Sequence, residues 1–152
     1  MWLWYNFFVK KGIDHVGVTI TFFCHDGKGN FLMSKRTNKT RDEHGKWELG
    51  GGGVNFKEPV IKALKREIKE EYSTNVKKIE FLGYRDIHRF DEKKRKTHWI
   101  GLDFKVLVNR KKVKIGEPKK MEEIRWVRLN KLPKPQHSQF QVFIKKYKSQ
   151  LK

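Results

Sequence analysis

Four consecutive glycines, Gly50 to Gly53, constrain this chain more than any other feature. A run without Cβ atoms is costly in backbone entropy, so it marks a place where side chains would be in the way. It permits positive φ and lets another group come close to the backbone. A helix is predicted shortly afterwards, over residues 59–72. Pro59 suits its first turn, where the missing N–H costs nothing. Ile61, Leu64, Ile68 and Tyr72 recur at helical spacing and form one apolar stripe. Ser73-Thr74-Asn75 ends it. The glycines therefore read as a loop ahead of a helix N-terminus, a place that favours anions.

The same helix carries Glu67, Glu70 and Glu71. Residues three and four apart are neighbours on a helix surface, so Glu67 lies beside both of the others. Like charges at that spacing repel by a few tenths of a kcal/mol per pair, on the order of what a solvated helix tolerates. A hard divalent cation would remove the conflict, because Mg²⁺ takes oxygen ligands and commonly bridges carboxylates to phosphate. Alone, a Glu-Lys row reads as solvated surface. Beside a glycine run and a helix start it becomes a candidate phosphate-and-metal site.

The remaining chain supplies strands. Residues 15–24 are rich in β-branched and aromatic side chains, residues 26–30 have turn chemistry, and residues 31–36 return as a hairpin. Trp47-Glu48-Leu49 is a short apolar segment entering the glycines. Residues 76–89 and 97–108 read as two strands around a basic turn, and residues 124–127 as another strand. Residues 138–151 read as a closing amphipathic helix with Phe140, Phe143, Ile144 and Tyr147 on one side. This alternation predicts an α/β fold, a mixed sheet with helices on its faces.

Composition bounds the rest. The 152 residues suit one domain, and 37% hydrophobic content suits a packed core. The formal charge of +19 draws polyanions, so nucleotides and nucleic acid are possible partners. The one cysteine, Cys24, excludes an internal disulfide and is expected to be a buried, inert thiol in a reducing cytoplasm. The apolar start, residues 1–9, is too short for a bilayer, which needs about 20 residues, and lacks the features of a signal peptide. It is expected to form an edge strand or a patch for a partner subunit.

The spacing of the acids resembles the Nudix hydrolase signature, G-x5-E-x7-R-E-U-x-E-E-x-G-U, with U a bulky aliphatic residue. Gly52, Glu58, Arg66, Glu67, Ile68, Glu70 and Glu71 fill its places. Ser73 stands where the family has glycine, Thr74 where it has an aliphatic residue, and Gly50 where many members have proline. The resemblance implies one Nudix-type α/β/α sandwich over residues 1–152. It also implies Mg²⁺-dependent (Mn²⁺ possible) hydrolysis of a nucleoside diphosphate linked to another group.

By that likeness Glu67, Glu70 and Glu71 hold the metal. Glu58 pairs with Arg66 or reaches the metal through water, and Arg66 orients the carboxylates. The general base comes from the helix or from a later acid, with Glu117 preferred over Glu122 and Glu123. Gly51, Gly52 and Gly53 and the strand-end Arg36 are expected to meet the substrate. Tyr84, His88, Phe90 and Trp99 are candidates for stacking on a base. No sequence spacing supports a metal site made from His88 and His98. Nucleoside triphosphates are the expected substrates, with ADP-ribose or a nucleotide-sugar as the alternative. An inactive Nudix module that binds RNA or nucleotide is the competing class, and a homodimer is possible.

Overall fold

The computed structural model describes residues 8–152, so most of the apolar start discussed above lies outside the described residues. Strand β1 (Gly17–His25) alternates its side chains between two faces of the sheet. Ile20, Phe22 and Cys24 point into one apolar cluster and Phe23 into another. Strand β2 (Phe31–Arg36) does the same, with Leu32 on the first side and Phe31 and Met33 on the second. Both strands are thus covered on both faces.

The short β3 (Trp47–Glu48) pairs with β2, and β4 (Gly50–Gly53) pairs antiparallel with β1. Helix α1 (Val60–Tyr72) covers the first face with Ala63, Leu64, Ile68 and Tyr72. Two long strands follow, β5 (Val76–Phe90) and β6 (Lys96–Val108), as an antiparallel ribbon. Strand β7 (Met121–Val127) pairs with β2. Helix α2 (Phe140–Tyr147) covers the second face with Phe140, Phe143 and Tyr147. The path through the seven strands is β3-β2-β1-β6-β5, with β4 beside β1 and β7 beside β2. Only β1 and β6 run parallel among these pairs. A mixed sheet between two helices is the α/β/α sandwich expected from the sequence.

Two expectations need correction, and a third holds. The glycine run is not a loop: Gly50, Gly51, Gly52 and Gly53 lie in register opposite Phe22, Thr21, Ile20 and Thr19. Residues 54–59 separate it from α1, whose N-cap Pro59 offers no side-chain bond. The anion site read from a glycine loop running into a helix start is therefore not built. Ile61 leaves the apolar stripe and is 43% exposed, because the buried face turns towards Ala63 and Glu67 instead. Cys24 is fully buried and free, and burial raises its thiol well above the usual range.

Candidate active site

The glycine strand makes room for the acids of α1. A Cβ on Gly52 would stand 2.1 Å from the Glu67 carboxyl carbon, and one on Gly50 would stand 2.7 Å from Glu71 Oε2. A Cβ on Gly51 would meet the backbone oxygen of Ile20 at 2.4 Å. Three of the four glycines thus sit in close approach: Gly52 to the Glu67 carboxylate, Gly51 to backbone, and Gly50 to the Phe22 ring at 2.1 Å as well as to Glu71.

Arg66 is the hub of one half of the cluster. Its Nε and one terminal nitrogen donate to the two oxygens of Glu58 at 2.7 and 2.9 Å. The other terminal nitrogen donates to Glu67 Oε1 at 2.7 Å and to Glu70 Oε2 at 3.3 Å. A further bond reaches the Gly53 carbonyl at 3.1 Å, tying helix to strand. Glu58 also accepts from the Asn55 N–H at 3.0 Å. The Arg66 bonds and that N–H hold the Glu58 carboxyl down at about 2. The guanidinium is raised in return.

Glu71 faces a different environment. The Gly51 N–H lowers its pKa, but burial first, and then the charges of Glu48, Glu67 and Glu117, push it well above the ordinary carboxylate range. Burial also raises Glu67, against the pull of Arg66. Glu48 is raised to about 7 by burial, although Arg36 donates to both its oxygens at 2.8 Å. Four carboxylates therefore crowd one corner of the molecule.

Glu117 arrives there on the loop before β7. The Gly116 N–H donates to the Glu71 carbonyl at 2.8 Å, and the Lys114 N–H to the Tyr72 carbonyl at 3.0 Å. A Cβ on Gly116 would lie 1.9 Å from the Glu70 carbonyl oxygen, so only glycine lets the loop dock on the end of α1. One Glu117 oxygen pairs with Lys120 at 2.9 Å, and the other is buried without a hydrogen-bond partner among the described residues. The alternative bases are engaged elsewhere, Glu122 with Lys35 and Glu123 with Arg125.

A cleft of about 500 Å³ opens over the glycine strand and Glu71. Gly51, Gly52 and Gly53 line it, as do Lys120, Phe90 and Trp99. Arg36 lines it too, but its fork is committed to Glu48 and to Asp42, whose carbonyl and Oδ1 it bonds at 2.9 and 3.1 Å. Its role as a free phosphate grip is thereby weakened. Of the four aromatic candidates, Trp99 and Phe90 reach the cleft. Tyr84 and His88 are exposed and are not among the residues lining it.

Glu48 and Lys120 were not singled out from the sequence as site residues. A signal existed for Glu48: side chains two apart on an extended chain share a face, which joins Glu48 to Gly50 and Gly52. For Lys120 the sequence carried none, since one lysine among so many is unremarked.

The donor set fits a hard divalent cation. It is all oxygen, and it is crowded with negative charge. Such a set, on a mixed sheet beside a nucleotide-sized cleft, defines a hydrolase of phosphoanhydride bonds. The family model for the NUDIX domain matches residues 15–147. The chain belongs to that family.

Relatives are similar in the same sense. The 8-oxo-dGTP diphosphatase of Buchnera aphidicola subsp. Acyrthosiphon pisum is 39% identical over 71 residues, 45% of this chain and 56% of that protein. The chain thus spans little more than half of that relative. Nucleoside triphosphatase NudI of Escherichia coli O139:H28 is 30% identical over 106 residues, 66% of this chain and 74% of that one. Among solved structures, the MutT NUDIX hydrolase of Burkholderia pseudomallei superposes with a TM-score of 0.73 at 25% identity, covering 87% of this chain and 98% of its own. The NUDIX domain of Shewanella oneidensis NrtR, solved with ADP ribose, gives 0.72 at 17% identity over 91% and 90%, a likeness of fold. Among the described residues no helix is long and apolar enough to cross a membrane.

Proposed function

We propose that residues 1–152 form one Nudix domain that hydrolyses nucleoside triphosphates to the monophosphate and pyrophosphate, using Mg²⁺ or, in its place, Mn²⁺. The observation that carries this reading is the corner of carboxylates around Glu71, at the edge of a cleft that the glycine strand lines. Glu67, Glu70 and Glu71 would hold the cation, with Glu58 joined to them through Arg66. The chemistry a bound divalent cation supplies is neutralisation of phosphate charge and acidification of its water.

The chain's own residues do the rest. Arg66 fixes the carboxylates in place before substrate arrives, so little reorganisation is left for the reaction. The peptide groups of Gly51, Gly52 and Gly53 let phosphate oxygens come close, and Lys120 adds a positive charge at the rim. Glu117, with one oxygen unpartnered, serves as the general base that takes a proton from the attacking water. Trp99 and Phe90 offer flat surfaces to a base. The named activities of NudI and of the 8-oxo-dGTP diphosphatase support triphosphates over other linked diphosphates. A free, buried Cys24 suits a cytoplasmic setting.

The test is a panel of nucleoside triphosphates, ADP-ribose, nucleotide-sugars and 5′-triphosphate RNA with Mg²⁺, read as phosphate or pyrophosphate release. Pyrophosphate from triphosphates is expected. Turnover of ADP-ribose alone would replace the substrate. No turnover, with equal RNA binding by wild type and Glu70→Gln, would make the protein a binding module.

A further inference from the structure

We propose that Asp86, His88 and His98 form a second metal site, unrelated to the carboxylate corner, that takes Zn²⁺ or a first-row transition ion of similar preference. His88 and His98 lie directly opposite each other in the β5–β6 register. Asp86 is two residues before His88, so it projects from the same face of β5. The two imidazole rings stack with centroids 4.2 Å apart and planes at 29°. His98 Nε2 lies 3.1 Å from Asp86 Oδ1. One ligand atom from each of the three residues lies within 4.8 Å of the other two.

The donor chemistry separates this cluster from the catalytic one. Two imidazoles and a carboxylate suit Zn²⁺, whereas an all-oxygen set suits Mg²⁺. Three protein ligands leave a position for water, and the exposure of Asp86 and His88 gives an ion direct access. The neighbouring basic turn is partly silenced, because Arg95 is closed on Asp91 at 2.7 Å. A second cluster, Asp42-Glu43-His137, is already filled by protein donors: Arg89 bonds both acids, and Ser138 and Lys46 bond Glu43. It has no comparable room for an ion.

The place of the site gives it a consequence. Arg85, Ile87 and Arg89, at the alternate positions of β5, line the cleft. An ion held across β5 and β6 would pin the two strands that carry that wall.

The experiment adds Zn²⁺ to the full chain in excess Mg²⁺ without nucleotide, and follows imidazole nitrogens by NMR together with Tm. One equivalent is expected to move the ring signals of His88 and His98 and to raise Tm. His88→Asn and His98→Asn should each abolish both effects, and Asp86→Asn should weaken the apparent affinity roughly tenfold. His88→Asn is exposed and outside the catalytic machinery, so its unchanged Mg²⁺-dependent turnover reports a folded protein. Unmoved rings of His88 and His98, or a Tm rise that survives in His88→Asn, would overturn the proposal.

Discussion

The acids of this protein divide into two halves that differ in how their charge is balanced. Around Arg66, one guanidinium satisfies Glu58, Glu67 and Glu70 and reaches the Gly53 carbonyl as well. Around Glu71, burial and then the carboxylates of Glu48, Glu67 and Glu117 raise its pKa, and the nearby Lys120 is bonded to Glu117. The first half is a framework complete in itself. The second is an arrangement that is costly without a cation and favourable with one. Glu67 belongs to both, and so couples the framework to the ion site.

The strongest way to break this division is Glu71→Gln. It removes the most perturbed acid while keeping its shape. Turnover should fall by about a thousandfold, the scale of a lost charge-stabilising group. Tm without metal should hold or rise, because the repulsion is relieved. A rate within a few fold of wild type would show that Glu71 does not serve the ion.

The glycine strand offers a sharper contrast. Gly52→Ala presses on the tip of Glu67, a flexible group that can move aside. Its cost should fall on activity, about 10- to 100-fold as for displaced supports of metal ligands, with little change in Tm. Gly51→Ala presses on the Ile20 backbone oxygen, which cannot move alone. Its cost should fall on folding. Thermal melts and initial rates on the same two variants decide the matter, and equal Tm losses would refute the assignment.

These contrasts also show what was legible in the sequence. Glu67, Glu70 and Glu71 join on paper because helical geometry is local and their spacing fixes their neighbours, whereas Glu58, ahead of α1, and Arg66 join them only through the family likeness. Phe31–Arg36 and Val60–Tyr72 were found for the same reason. Gly50–Gly53 reads as a loop, since glycine is a poor strand former, and here tertiary contact with β1 overrides that preference. Glu117 reaches Glu71 only through Gly116 docking on α1, a contact no spacing encodes. The opposition of His88 and His98 depends on the register of the β5–β6 ribbon, which a bulge at Phe81/Gly83 helps to set.

The two halves should also titrate in opposite senses. Glu58 is held at about 2, so its contribution is present above its unfolded value and lost as pH falls through the folded one. Glu48, raised to about 7, together with Glu67 and Glu71, does the reverse: the folded state binds more protons than the unfolded. Stability from that half is present at low pH and is lost as pH rises from the ordinary carboxylate range through about 7. In EDTA, Tm should therefore decline from about pH 5 to pH 8, and saturating Mg²⁺ should flatten the decline. Glu48→Gln should flatten it without metal, and an unchanged slope in that variant would remove Glu48 from the account.

The smallest effects come from the end of α1, where the chain departs from the family signature. Ser73 caps the helix with φ at 53° and ψ at 25°, the left-handed region, where a Cβ costs about 1 kcal/mol. The signature's glycine fits that conformation without strain. Thr74 is 2% exposed and its hydroxyl has no partner among the described residues, while the signature's aliphatic residue would leave no polar atom buried. Ser73→Gly and Thr74→Val should each stabilise the fold by about 1 kcal/mol, read from urea melts at unchanged slope. Ser73 approaches the acid corner at Gly116, where a Cβ would stand 3.1 Å from its Oγ, so turnover should stay within a few fold. If Ser73→Gly instead slowed turnover strongly, the last turn of α1 would be fixing Glu70 and Glu71 more tightly than Arg66 and the Gly51 N–H do. The boundary between framework and ion site would then have to be drawn at the helix end rather than at Glu67.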